Sequence, residues 1–271
     1  MKLTLCITLG LCLVLATLGL GKWHMSAVYA ASCDTHGGLI PDLQTVVPQH
    51  LQLINDHQRE VLRFSNGIAN TGDGAWQMVP VIPADKNSPQ KANQQFLDAN
   101  GNVVATCSTA SESVYHPAHK HFHISGVASF EVHSKRADGP LIGESLGKVT
   151  SCLIDWVRLE GNSPDNERGY SSCDSGVQGI SPGWVDQYHM ALEGQSIDIT
   201  PIPDGTYYLV SKANPGDKAN PDGFFFEKKL DNNKAWVRFN LLSDSNGNRK
   251  IEITGHSACA DGLCGEDFPN R

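Results

Sequence analysis

The 271-residue chain has no internal repeat, no block of like charge and no low-complexity tract, so repeat arrays, charged tails and disordered linkers are excluded. Cations are in short supply. Against 29 Asp and Glu there are 21 Lys and Arg, giving a formal charge of −8. An acidic surface argues against nucleic acid as a partner and is compatible with cationic ones. Close Cys-x-x-Cys pairs are missing, which removes zinc ribbons. Long helical periodicity is missing too, and the only segments that read as helix are short, as around Lys91–Leu97. What remains is ordinary for a globular protein: 40% hydrophobic residues, 18% charged, and enough chain for one large core.

The N-terminus reads as a targeting segment. Lys2 precedes an uncharged, Leu-rich run from Leu3 to Leu20, and small residues follow around Val28-Tyr-Ala30. A basic start, an apolar stretch and a small-residue site form a secretory signal over residues 1–30, with an uncleaved membrane anchor as the alternative. Cleavage there removes Lys2 and Lys22 and no acid, taking the formal charge from −8 to −10. Cys6 and Cys12 leave with the leader. The six remaining cysteines, Cys33, Cys107, Cys152, Cys173, Cys259 and Cys264, are an even set in an exported chain and read as three disulfides whose connectivity stays open.

Beyond the leader, 26 glycines and 14 prolines over the whole chain suit many turns. Short β-rich segments recur between them: Glu60–Ser65, His121–Ile124, Ser129–Val132, Thr206–Val210 and Ala235–Leu241. Turn signals such as Pro203-Asp-Gly205, Asn214-Pro-Gly216 and Asn246-Gly247 separate them. This pattern predicts an all-β protein with a single sandwich-like domain over 31–256, long loops and few short helices, then a Cys-bearing tail over 257–271. Asp244-Ser-Asn-Gly-Asn248 has some calcium-loop character, but its Gly is misplaced and no acid closes the loop; it reads as a polar hairpin turn.

The strongest chemical signal is Tyr115-His-Pro-Ala-His-Lys-His-Phe-His123. On a strand, alternate side chains share a face, so His119, His121 and His123 project together and form a facial set of imidazoles suited to copper or zinc. A half-buried strand of satisfied histidines is the bland alternative, but each buried imidazole would need partners of its own. His116 is out of phase and reads as a supporting or surface residue. Three histidines alone do not choose a chemistry: zinc would favour hydrolysis and copper oxygen chemistry.

Residues elsewhere narrow the choice. The histidine run resembles the copper-binding stretch of the lysyl oxidase family. Leu62-Arg-Phe-Ser-Asn-Gly-Ile-Ala-Asn-Thr-Gly72, Gln178-Gly-Ile-Ser-Pro-Gly-Trp-Val-Asp-Gln-Tyr188, the segment Ile197–Leu209 and Asp231-Asn-Asn233 are similar to further stretches of that family in the same order. The resemblance spans about Pro41 to Leu241 and implies a secreted copper amine oxidase. Its cofactor would be lysine tyrosylquinone, made from Tyr188 and from Lys148, which lies four residues before Cys152 as the family's lysine does. It also implies a Cys152–Cys173 disulfide; Cys33–Cys107 and Cys259–Cys264 are then the expected remaining pairs.

On this resemblance, copper and molecular oxygen would convert Tyr188 to a quinone that the Lys148 amine attacks. The product would oxidise a primary amine to an aldehyde with release of peroxide and ammonia. Asp186 is the candidate general base, with Asp198 as the alternative. The amine could belong to lysine side chains of extracellular proteins or to small molecules, with no nucleic acid and no membrane involved unless the leader is retained. Rival readings are a three-histidine zinc or copper enzyme without a quinone, and a noncatalytic extracellular metal-binding protein. Departures from the animal pattern are Ala118, Trp184 and Gly194 at cysteine positions and Phe130 at a histidine position.

Overall fold

The computed structural model describes residues 33–56, 58–81, 88–145, 150–159, 167–174, 176–259 and 263–264. The leader over residues 1–30, Lys148 and the last residues of the tail lie outside them. Numbered along the chain, the strands form three sheets in which every pair of neighbours is antiparallel. The first contains β1 (Leu43–Thr45), β2 (Gln49–Asp56), β3 (Arg59–Asn70), β11 (Val157–Arg158), β13 (Trp184–Tyr188) and β14 (Ser196–Asp198). The second runs β10 (Thr150–Ser151), β7 (His121–Ser125), β6 (Val103–His116), β5 (Gln90–Leu97), β4 (Trp76–Pro80), β12 (Gln178–Ile180). The third runs β17 (Arg249–His256), β16 (Lys234–Ser243), β15 (Gly205–Ala213), β8 (Ala128–Ser134), β9 (Leu141–Glu144).

The all-β reading holds, and every β-rich segment named from the sequence lies in a strand. Lys91–Leu97 does not form the expected helix; it is most of β5. Lys, Ala, Gln and Leu favour helix locally, but β5 is clamped between β4 and β6, and tertiary pairing overrides a weak intrinsic preference. Its alternate residues Gln90, Ala92, Gln94 and Phe96 face inward. Buried Gln94 satisfies its amide on one residue, donating to Phe226 O at 2.7 Å and accepting from Phe226 N at 2.9 Å. Among the described residues no helix is long and apolar enough to cross a membrane.

One core joins the sheets. Phe64 of β3, Trp76 of β4, Ile124 of β7, Phe130 of β8 and Phe239 of β16 belong to the same buried cluster. Phe64 and Phe130 meet edge to face with centroids 4.8 Å apart, a geometry favoured by the ring quadrupoles. Phe130 is therefore a core packing residue. The three disulfides are Cys33–Cys107, Cys152–Cys173 and Cys259–Cys264, as expected. The tail folds back: Leu263 packs with Val46, Ala69, Leu159 and Val185, and its carbonyl accepts from Val47 N. Asp244 closes the β16–β17 hairpin, its carboxylate accepting from Asn246 N and Asn248 N, so the loop is a polar turn.

Two interactions outside the histidine region carry measurable consequences. Arg249 is nine-tenths enclosed; it meets Glu60 at 2.5 Å and donates to Ile202 O, which ties β17 to β3 and to the loop after β14. Removing one member of an enclosed pair strands the other, so Arg249→Ala should cost about 2 kcal/mol by urea unfolding. Arg136→Ala, whose pair with Asp138 is exposed, should cost less than about 0.5 kcal/mol. The second is Glu227, which anchors the β15–β16 connection by accepting from Leu43 N, Asn214 Nδ2 and Asn233 Nδ2.

Burial pushes the Glu227 carboxyl up to about 7 from 4.5, against the pull of those three donors. Because the folded value is the higher one, its stabilising contribution is complete below pH 4.5 and is lost as pH rises through about 7. Unfolding free energy should decline over that window by up to about 3 kcal/mol, and Glu227→Gln should flatten the decline.

Candidate metal centre

The site begins with a hairpin. β6 and β7 pair so that His116 lies opposite His121, Tyr115 opposite Phe122 and Val114 opposite His123. Pro117 has no N–H for the ladder, so the chain turns there, and His119 N and Lys120 N both bond back to His116 O at 3.1 and 2.8 Å. Lys120 takes the left-handed conformation that the tight turn needs, at φ 62°. His119 is thus a turn residue and not part of the alternating strand expected from the sequence; only His121 and His123 alternate on β7. The turn nevertheless delivers His119 to the same place.

One ligand nitrogen from each of His119, His121 and His123 lies within 4.8 Å of the others. His119 Nδ1 and His123 Nε2 are 3.1 Å apart and face each other, an arrangement that suits a shared proton or a shared ion. His119 is exposed and His123 is the most enclosed of the three. Burial pushes the His123 imidazole down to about 4, helped by the charges of its histidine neighbours. Burial also lowers His121, followed by the charge of His119, with Asp174 pulling the other way. These two rings are neutral at pH 7, with lone pairs ready for a metal. Nitrogen donors without a carboxylate suit copper or zinc and are a poor match for calcium or magnesium.

His116, set aside from the sequence as out of phase, is part of the cluster. It stacks on His119 at 4.1 Å and on His123 at 4.9 Å, with its Nδ1 buried. The hairpin register places it there, which a single-strand reading could not detect. The Cys152–Cys173 disulfide reaches the same region, with a sulfur of each cysteine within 4.8 Å of a His121 nitrogen. Ala118 occupies the exposed turn.

Tyr188 and Asp186 lie on β13, opposite Asn66 and Ile68 of β3. Two-residue spacing puts them on one face, and the Tyr188 hydroxyl donates to Asp186 Oδ2. Asp186 is fully buried and Tyr188 is half-buried. Asp198 is occupied differently: it ends β14 near the surface, accepts from Thr200 N at 2.9 Å, and is lowered by its Thr200 bonds. That is the reverse of what a general base near neutral pH needs. Lys148 falls outside the described residues; the strand that follows it, β10, pairs Thr150 with Ser125 and Ser151 with Ile124 on the histidine strand.

An all-β, disulfide-stapled protein that brings three imidazoles together on a hairpin defines a class with a candidate metal centre. Comparison narrows this to a family. Residues 93–247 match the family model described as Lysyl oxidase, so the chain belongs to the lysyl oxidase family. Lysyl oxidase homolog 1 of Homo sapiens is 34% identical over 101 residues, covering 37% of this chain and 17% of that protein. Lysyl oxidase homolog 2 of Rattus norvegicus is 31% identical over 157 residues, 58% of this chain and 16% of that protein. Lysyl oxidase homolog 3B of Danio rerio is 30% identical over 138 residues, 49% and 16%. The match spans about a sixth of the length of these relatives.

Proposed function

We propose that this protein is an exported copper amine oxidase that converts primary amines to aldehydes, with Lys148 and Tyr188 as precursors of a lysine tyrosylquinone. The observation that carries the reading is the hydrogen bond from Tyr188 to the enclosed carboxylate of Asp186, in a member of this family that also converges three imidazoles. Such a cofactor, once formed with copper and dioxygen, supplies the carbonyl that takes two electrons from the amine.

The chain's own residues would do the rest. His119, His121 and His123 would hold the metal, two of them already neutral. Asp186 Oδ2 would hold the Tyr188 hydroxyl proton and fix the ring's orientation within the strand. Because it shares a face with Tyr188, the same carboxylate would serve as the base that takes the α-proton of an amine bound at that ring. An acidic protein would draw cationic amines, whether lysine side chains of extracellular proteins or small molecules.

Intact mass and peptide mapping of secreted, copper-loaded protein test this reading. A Lys148–Tyr188 cross-link, with visible absorbance and amine-dependent peroxide release, is the expected result. A colourless protein with full activity would instead assign a three-histidine enzyme without a quinone. Copper uptake with no peroxide from any amine would assign a noncatalytic metal-binding protein.

A further inference from the structure

Gln178 opens β12, is fully buried, and uses one end of its amide on β7 and the other on the segment that follows β10. Its Nε2 donates to Phe122 O at 2.5 Å, between the ligand candidates His121 and His123. Its Oε1 accepts from Leu153 N at 3.2 Å, and the next residue completes the grip, Gly179 N donating to Leu153 O at 3.1 Å. Leu153 follows Cys152, whose disulfide lies against His121, and the arm before it pairs through Ser151 with Ile124. One dipeptide therefore ties together the histidine strand and the arm that leads back to Lys148.

We infer that Gln178 is a positioning residue that sets the spacing between the histidine strand and the Ser151–Leu153 arm. The cross-linking part of this role rests on the amine oxidase reading above; the metal part does not. The side chain must be an amide. A carboxylate of the same length keeps an acceptor for Leu153 N but has no donor for Phe122 O, and methionine keeps the volume while losing both. Gly179 cannot be enlarged to compensate, because a Cβ there would meet Trp76 O at 2.5 Å and the Tyr170 ring at 2.7 Å.

Gln178→Glu and Gln178→Met, compared with wild type and with Arg249→Ala as a destabilised control, provide the test at temperatures well below unfolding. Copper(II) affinity by chelator competition and the copper visible and electron paramagnetic resonance spectra read the histidine strand. Time-resolved intact mass after copper addition in air reads the cross-link. We expect Gln178→Met to form the cross-link about 10–100-fold more slowly with altered copper spectra, as loss of a supporting contact does at other metal sites. Gln178→Glu should alter the spectra similarly, whereas Arg249→Ala should match wild type in both measurements.

In the unmodified protein, exchange of the Leu153 N–H should slow further when copper(II) binds. This measurement stands even if a variant fails to fold. Wild-type spectra and cross-linking rate in both Gln178 variants would overturn the inference, as would Leu153 exchange indifferent to copper. A wild-type protein that binds copper but never cross-links would sink the amine oxidase reading alone, leaving the spectral comparison to judge Gln178.

Discussion

Tyr188→Phe should abolish amine-dependent peroxide release while copper remains bound. Phenylalanine keeps the ring and its packing against the core but lacks the oxygen from which a quinone carbonyl would form. The proposed metal donors are on β7 and its turn, so none of them is touched. Asp186 loses its hydroxyl partner in a fully buried position, and a modest stability loss of about 1–3 kcal/mol should accompany the change. Lys148→Ala should produce the same catalytic loss. Peroxide assays, visible spectra and metal analysis on the two variants separate the outcomes. Amine-dependent peroxide at even a tenth of the wild-type rate in either variant would end the case for a quinone built from these residues.

His123→Ala should have the other large effect, lowering copper affinity by more than about a hundredfold, since loss of a merely supporting residue already costs 10–100-fold at comparable sites. His123 is the most enclosed member of the triad and faces His119 directly, so its removal opens the set from the inside. Burial pushes the imidazole down to about 4, so near pH 7 the ring is neutral and copper need not displace the second proton of an imidazolium. Solvent cannot replace that donor without wetting an enclosed position. His116→Ala, which removes a stacked ring outside the three-nitrogen group, should cost far less affinity. Equal losses in the two variants would show that the donor set is assigned wrongly.

Much of this was legible along the chain because it depended on local spacing. Alternating β-rich segments marked the strands, and the interval between Asp186 and Tyr188 put both on one face. The histidine run marked a candidate metal site whichever residues fell on the strand. Other features were hidden because they depend on what pairs with what. The helix-like composition of Lys91–Leu97 yielded to two flanking strands, and Pro117 moved His119 off the strand and into a turn.

By itself, then, the amino-acid order determined the all-β class, the acidic and disulfide-bearing character, the clustering of histidines and the carboxylate–phenol pair, because each follows from composition, from closeness in the chain or from a period of two. Only the tertiary structure decided that His116 joins the cluster, that Phe130 is core, that Asp198 is occupied near the surface at the end of β14, and that Gln178 bridges β7 and the segment after β10. Those outcomes come from contacts between segments far apart in the chain. Their registers are set by burying one shared core and satisfying the buried backbone groups around it, which no local pattern encodes.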